Sequence, residues 1–309
     1  MNKKIMQKAA FMAIMAVWII SFPACSSNAA VKQESDNAYE EKGDQDKAAA
    51  DQTVEYYNQG LIYYEEGDFD LAIAEFTKAI RLDPDYAWAY HDRAYIYAEK
   101  GDFDRAIKDY TEVIRLEPNN VLAIVNRGIT YIDKSDFDRA MADFDHALRL
   151  EPENAWAYNG RGIVYAEIGD LDRAIVEYNE AIRLDPDYVY AHNNLGKAYA
   201  KKGEPDLAIS NYTKAIRLDP DYAWAYNNRG YAYFEKGDID KAILDINEAI
   251  RLDPDKAWFY NNRGIFFKEK GDLNKAILDW ETSLRIDPCD ENIEAIADML
   301  EEARLERGW

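Results

Sequence analysis

Ala155-Trp-Ala-Tyr-Asn-Gly-Arg-Gly-Ile-Val-Tyr165, followed by Gly169-Asp-Leu-Asp-Arg-Ala174 and closed by Leu184-Asp-Pro186, is a stretch whose pattern returns along most of the chain. Tyr158, Gly162 and Tyr165 fall at helical spacing and mark one buried face, and Ala174, Tyr178 and Ala181 mark a second. Between them Gly169 can end the first helix in a left-handed conformation and Asp170 can cap the second, so the stretch predicts a helix, a tight turn and a helix. Proline sets the period without any alignment: Pro84, Pro118, Pro152, Pro186, Pro220, Pro254 and Pro288 lie 34 residues apart. The units run 53–86, 87–120, 121–154, 155–188, 189–222, 223–256 and 257–290. Small residues recur at unit position 20 (Ala72 through Ala276) and at position 8 (Gly60, Ala94, Gly128, Gly162, Gly196, Gly230, Gly264), where two helix backbones can approach closely. Ser135 stands where the other units carry a turn glycine, and Ser283 where they carry a packing alanine or its equivalent.

A helix hairpin of this size cannot bury its faces alone, so stability has to come from stacking neighbours. The pattern resembles the tetratricopeptide repeat over residues 53–290, seven units in succession. The expected fold is therefore all-α: an α-solenoid of seven helix-turn-helix repeats, with residues 291–309 as a C-terminal capping helix presenting Ile293, Ile296, Met299, Leu300 and Leu305 among charges. A length of 309 residues, which would ordinarily suggest two domains, becomes a repeat count.

The remainder of the chain reads as an address. Lys3, Lys4 and Lys8 precede an apolar run from Ala9 to Ala24, shorter than a membrane span needs and suited to a signal peptide over 1–24. Phe22-Pro23-Ala24-Cys25 resembles a bacterial lipobox, which implies lipidation of Cys25; cleavage near Ala29 or Ala30, discarding that cysteine, is the alternative. Residues 25–52 hold seven acids, three lysines and almost no large apolar side chain, so a disordered acidic tether is expected there. The expected location is exported and lipid-anchored in the bacterial envelope, touching the membrane through that anchor only.

Two polar series have structural explanations. Arginine at position 29 (Arg81, Arg115, Arg149, Arg183, Arg217, Arg251, Arg285) suits the negative end of the second helix. Arginine at position 7 (Arg93, Arg127, Arg161, Arg229, Arg263) matches an acid at position 23 (Asp109, Asp143, Glu177, Asp245, Asp279), predicting ion pairs inside each repeat.

Positions 2, 6, 9 and 13 of the first helix form a separate face. Position 2 carries Trp88, Trp156, Trp224 and Trp258; position 6 carries Asn58, Asn126, Asn194, Asn228 and Asn262; position 9 includes Tyr95, Tyr231 and Lys197. Position 13 is acidic in six units, Glu65, Glu99, Asp133, Glu167, Glu235 and Glu269, with Lys201 as the exception. Resemblance to tetratricopeptide proteins implies that this face lines a concave groove, where the asparagines hold a peptide backbone, the aromatics anchor apolar side chains and the acids favour basic segments. Lys197, Lys201 and Lys202 form a local basic spot able to accept a carboxylate. The structural alternative is that Asn and Trp recur because the units arose by duplication, and that Trp helps pack adjacent repeats.

A formal charge of −22 argues against nucleic acid as a partner, since its affinity rests on neutralising phosphates with clustered cations. His91, His146 and His192 belong to no metal or nucleophile motif, so neither a cofactor nor an enzymatic activity is expected. The sequence reads as a binding scaffold for peptides or proteins of the envelope, with self-association into a homo-oligomer as the alternative.

Overall fold

The computed structural model describes residues 33–288 and 293–307, and among these all regular structure is helical. The predicted signal peptide and Cys25 lie outside the described residues. The chain forms two compact units, which divide between Asp136 and Phe137. The first holds α1 (Gln33–Glu66), α2 (Phe69–Leu82), α3 (Ala87–Glu99), α4 (Phe103–Leu116) and α5 (Val121–Asp133). The second holds α6 (Phe137–Leu150), α7 (Ala155–Glu167), α8 (Leu171–Leu184), α9 (Val189–Lys201), α10 (Pro205–Leu218), α11 (Ala223–Glu235), α12 (Ile239–Leu252), α13 (Ala257–Glu269), α14 (Leu273–Ile286) and α15 (Ile293–Arg307).

The turns form as their residues dictate. Gly67, Gly101, Gly169, Gly203, Gly237 and Gly271 all take positive φ, and at Gly169 this lets the Asp170 N–H reach back to the Tyr165 carbonyl at 2.8 Å. Ser135 adopts the same left-handed conformation at φ 61°, the one described non-glycine residue to do so. Asp102, Asp170, Asp238 and Asp272 cap the following helices, each accepting the backbone N–H three residues on.

These caps also predict an acid response. The Arg173 backbone N–H and then its guanidinium hold the Asp170 carboxyl below the ordinary 3.8, and side-chain bonds from Arg105, Lys241 and Lys275 come first in doing the same for Asp102, Asp238 and Asp272. A depressed folded-state pKa contributes stability that is present above the unfolded value and disappears as pH falls through the folded one. Urea unfolding followed from about pH 5 to about pH 3 should therefore show declining stability, and Asp→Asn at all four caps should flatten that decline.

Packing corrects the expected core in one respect. In the fourth repeat positions 4 and 11, Tyr158 and Tyr165, are only half-buried, with Arg173 over the Tyr165 ring at 4.4 Å, whereas Ile124 at position 4 and Tyr97 and Tyr131 at position 11 of other repeats are buried. Positions 3 and 10 are deeper there and in other repeats: Ala89, Ala157, Ala191, Ala225 and Phe266 are wholly buried, with Ile96 and Val164 nearly so. A first helix inside the stack meets its own second helix on one side and the preceding repeat on the other, so its buried arc is wider than a single stripe. Positions 8 and 20 behave as expected: a Cβ added at Gly162 would stand 2.7 Å from the Tyr178 ring, and Ala174 is fully buried.

A second correction concerns the tether. Within the described residues the stretch from Gln33 to Gln52 is helical, continuous with the first helix of the first repeat. Ala48, Ala49 and Ala50 favour helix, and extending a helix already held by packing at Tyr57 and Gly60 avoids the cost of nucleation. At the other end α15 caps the stack, burying Ile296, Leu300 and Ala303 in a cluster with Ala276, Ile277 and Trp280. Lys268 to Glu302 at 2.6 Å and Arg304 to Glu281 at 2.7 Å flank that contact.

Candidate functional site

Position 7 arginines fasten four of the hairpins, as the spacing predicted. Arg93 grips Asp109 with Nε at 2.7 Å and a terminal nitrogen at 2.9 Å, and Arg229 grips Asp245 at 2.7 and 2.8 Å. Arg161 with Glu177 and Arg263 with Asp279 repeat the fork. The remaining arm reaches the preceding repeat: Arg93 to Thr77 at 2.8 Å, Arg161 to Asp145 at 3.0 Å, Arg229 to Thr213 at 3.1 Å. These guanidiniums thus join three helices and are not available to a ligand. Position 29 arginines stay on the surface, where Arg115, Arg183 and Arg251 pair with the glutamate one turn earlier.

The asparagines turn toward one another. Asn194 donates to the Oδ1 of Asn159 at 3.0 Å, Asn228 to that of Asn193 at 3.0 Å, and Asn262 to that of Asn227 at 2.8 Å. Each bond links position 6 of one repeat to position 5 of the repeat before it. Asn227 also donates to Asn228 at 3.1 Å, so Asn262, Asn227, Asn228 and Asn193 form an unbroken relay across three repeats. In the first unit Asn126 meets Nε2 of His91 at 3.1 Å, and Tyr57 donates to Asp92 at 2.8 Å. Asn58 alone of the series is exposed. The position 5 partners were not singled out from sequence, although the Asn-Asn pairs 193–194, 227–228 and 261–262 signal them.

Asn262 and Asn227 are both buried, so Asn262→Ala strands the Asn227 acceptor and should cost about 1–3 kcal/mol in urea unfolding, while Asn58→Ala should change little.

The exposed surface of the face lies at particular residues of positions 2, 9 and 13. In the second unit Tyr190 is 58 % exposed, Trp224 and Trp258 40 % each, and Tyr231 42 %. Trp224 stands edge-on to Phe259 at 5.1 Å and Tyr190 to Tyr222 at 5.4 Å, so buried or half-buried neighbours hold these rings while their outer surfaces stay wet. Trp88 and Trp156 are half-buried, Trp88 against His91 at 6.4 Å, and Tyr95 packs edge-on to Tyr64 at 6.1 Å. Glu65, Glu99, Glu167, Glu235 and Glu269 are exposed, as are Lys197 and Lys201. Partial desolvation and then the Glu99 carboxylate raise the Asp133 carboxyl. Lys202 is withdrawn from the basic spot by an ion pair with Asp172 at 2.6 Å. Among the described residues no group of three or more His, Cys, Asp or Glu could hold a metal ion.

Models of the tetratricopeptide repeat family match residues 60–101, 87–120 and, in overlapping segments, 128–271. The chain belongs to the tetratricopeptide repeat family. Solved structures agree on the fold of this repeat protein. A tetratricopeptide repeat protein from Parabacteroides merdae is 20 % identical with a TM-score of 0.63, over 82 % of this chain and 99 % of that one. Yeast Tom70 is 21 % identical with a TM-score of 0.64, over 88 % of this chain and 58 % of that one. A chain of the APC/C hetero-tetramer Cut9-Hcn1 is 22 % identical with a TM-score of 0.63, over 74 % of this chain; the repeat protein spans about half of its length, 46 %. No curated protein sequence matches. Proteins built from this repeat generally act as scaffolds for protein contacts and not as enzymes.

Proposed function

We propose that this repeat protein is a non-enzymatic scaffold of the bacterial envelope, exported, lipidated at Cys25, and holding peptide segments of partner envelope proteins on its first-helix face. The observation that carries the reading is the row of exposed aromatics, Tyr190, Trp224, Trp258 and Tyr231, beside the exposed acids Glu167, Glu235 and Glu269. Wet aromatic surface on supported rings suits anchoring of apolar side chains, and the acids favour segments of net positive charge. The asparagines contribute by aligning the repeats, with Asn58 left exposed.

Replacing Tyr190, Trp224 and Trp258 together with Ala should weaken capture of basic, apolar peptides by about tenfold or more, with the urea midpoint nearly retained. Undiminished capture would reject the face. Cys25→Ser should abolish acyl incorporation and release the protein from membranes; persistent attachment would reject the anchor.

A second reading, self-association, is favoured by Val176, Leu244 and Leu278, which are 66 %, 68 % and 62 % exposed at one register position of the second helices. Sedimentation at rising concentration separates the two, since a peptide scaffold stays monomeric without its ligand.

A further inference from the structure

The charges left unneutralised on the first-helix face of the second unit follow an order. At position 13 they run Glu167 on α7, Lys201 on α9, Glu235 on α11 and Glu269 on α13. Position 9 adds Lys197 one turn before Lys201, whereas Ile163, Tyr231 and Ile265 occupy it on the flanking helices. All five charged residues are exposed, and among the described residues none of them takes an ion pair. That is unlike the surface lysines at the turns, where Lys202 and Lys270 close on Asp172 and Asp240 of the preceding repeat. The two lysines and three glutamates therefore stay apart, although acids and bases sit one repeat from each other.

Resting on the peptide-scaffold reading, we propose that this face selects an extended segment with one internal acidic residue opposite α9, flanked by cations opposite α7, α11 and α13. Charge complementarity sets the order of signs. The asparagine bonds set the spacing: Asn194 to Asn159 and Asn228 to Asn193 join neighbouring first helices side chain to side chain, which fits packed helices about 8–10 Å apart. An extended chain advances about 3.3–3.6 Å per residue, so successive repeats address residues about three apart. The ligand pattern is thus a cation, two spacers, an acid, two spacers, a cation, two spacers and a cation. The spacers nearest Tyr190, Trp224 and Trp258 are apolar or aromatic. The acid is a side chain and not a chain terminus, because acids on both sides of α9 draw the segment onward in both directions.

The test uses synthetic peptides of that pattern, of the same length with Lys in place of the acid, and of a third kind that ends at the acid, titrated onto the full chain by fluorescence anisotropy. The acid-centred peptide should bind about tenfold more tightly than the all-cation peptide, and the difference should shrink with added salt. Lys197→Glu with Lys201→Glu should invert the preference; both side chains are exposed, so an unchanged circular-dichroism spectrum and urea midpoint check the fold. If the all-cation peptide binds as well or better to the native chain, the charge order is overturned and the scaffold reading stands. If the peptide ending at the acid binds best, the internal acid is overturned. If no peptide binds, both readings fall.

Discussion

Trp280→Ala should open the C-terminal end of the stack at a cost of about 3–5 kcal/mol. Trp280 is the largest wholly buried side chain among the described residues, and it does three jobs at once. Its ring fills the space that Gly264 leaves, where an added Cβ would come within 2.5 Å. Its indole N–H donates to the Asn261 carbonyl at 3.3 Å. Its cluster receives Ile296, Leu300 and Ala303 of α15, so removing it takes away the surface that holds the cap. Because contacts in a repeat protein run between neighbours, the loss should concentrate locally. Hydrogen exchange should rise first across α13, α14 and α15, with early proteolytic cleavage before α15. Trp280→Phe keeps most of the apolar volume and should lose much less. A uniform drop in protection over the whole second unit would mean that the unit unfolds as one.

Asp245→Ala should rank second, at about 3–5 kcal/mol by the rule for breaking a shielded pair, toward the lower end because water still reaches part of it. The side chains of Arg229 and Asp245 are 16 % and 11 % exposed, so Asp245 cannot be replaced by solvent without strain on the guanidinium it leaves behind. That guanidinium would keep Thr213 at 3.1 Å and the Tyr226 ring at 5.6 Å, neither of which carries a compensating charge. Replacing both partners with apolar residues, Arg229→Met with Asp245→Leu, should restore most of the loss. The contrast is Glu180→Ala, which breaks the pair to Arg183; with those side chains 34 % and 62 % exposed, the change should stay within about 0.5 kcal/mol. Urea unfolding of the three variants in parallel measures the difference that burial makes to one kind of ion pair.

Much of this architecture was legible before any coordinates. The 34-residue proline spacing counted the repeats, Gly169 with Asp170 placed the turn, and the position 7 and 23 residues named their own partners, because all of these are relations within one hairpin. The reading weakened where the relevant neighbour lay in another repeat. Position 3 alanines look unremarkable in a single helix, yet Ala89 is wholly buried in a cluster with Ala72, Phe76 and Ala79 of the preceding repeat. The asparagine row suggested a surface free to meet a peptide, and the structure engages Asn194, Asn228 and Asn262 with position 5 residues 35 positions earlier. Composition made Gln33–Gln52 a tether because no apolar face is present to pack, and the helix persists there as a continuation of a packed one.

The sequence by itself determined the repeat unit, its turns, its internal ion pairs and the all-helical class, since periodicity, capping and spacing act over a few turns of chain. The tertiary structure decided which polar residues of the first-helix face remain available. Stacking brings position 5 of one repeat against position 6 of the next, and buried amides pair with each other to avoid the cost of stranded donors and acceptors. In the second unit Tyr190, Trp224 and Trp258 at position 2, Tyr231 at position 9 and the charges Glu167, Lys201, Glu235 and Glu269 at position 13 keep exposed surface. They are the part of the face still open to a partner.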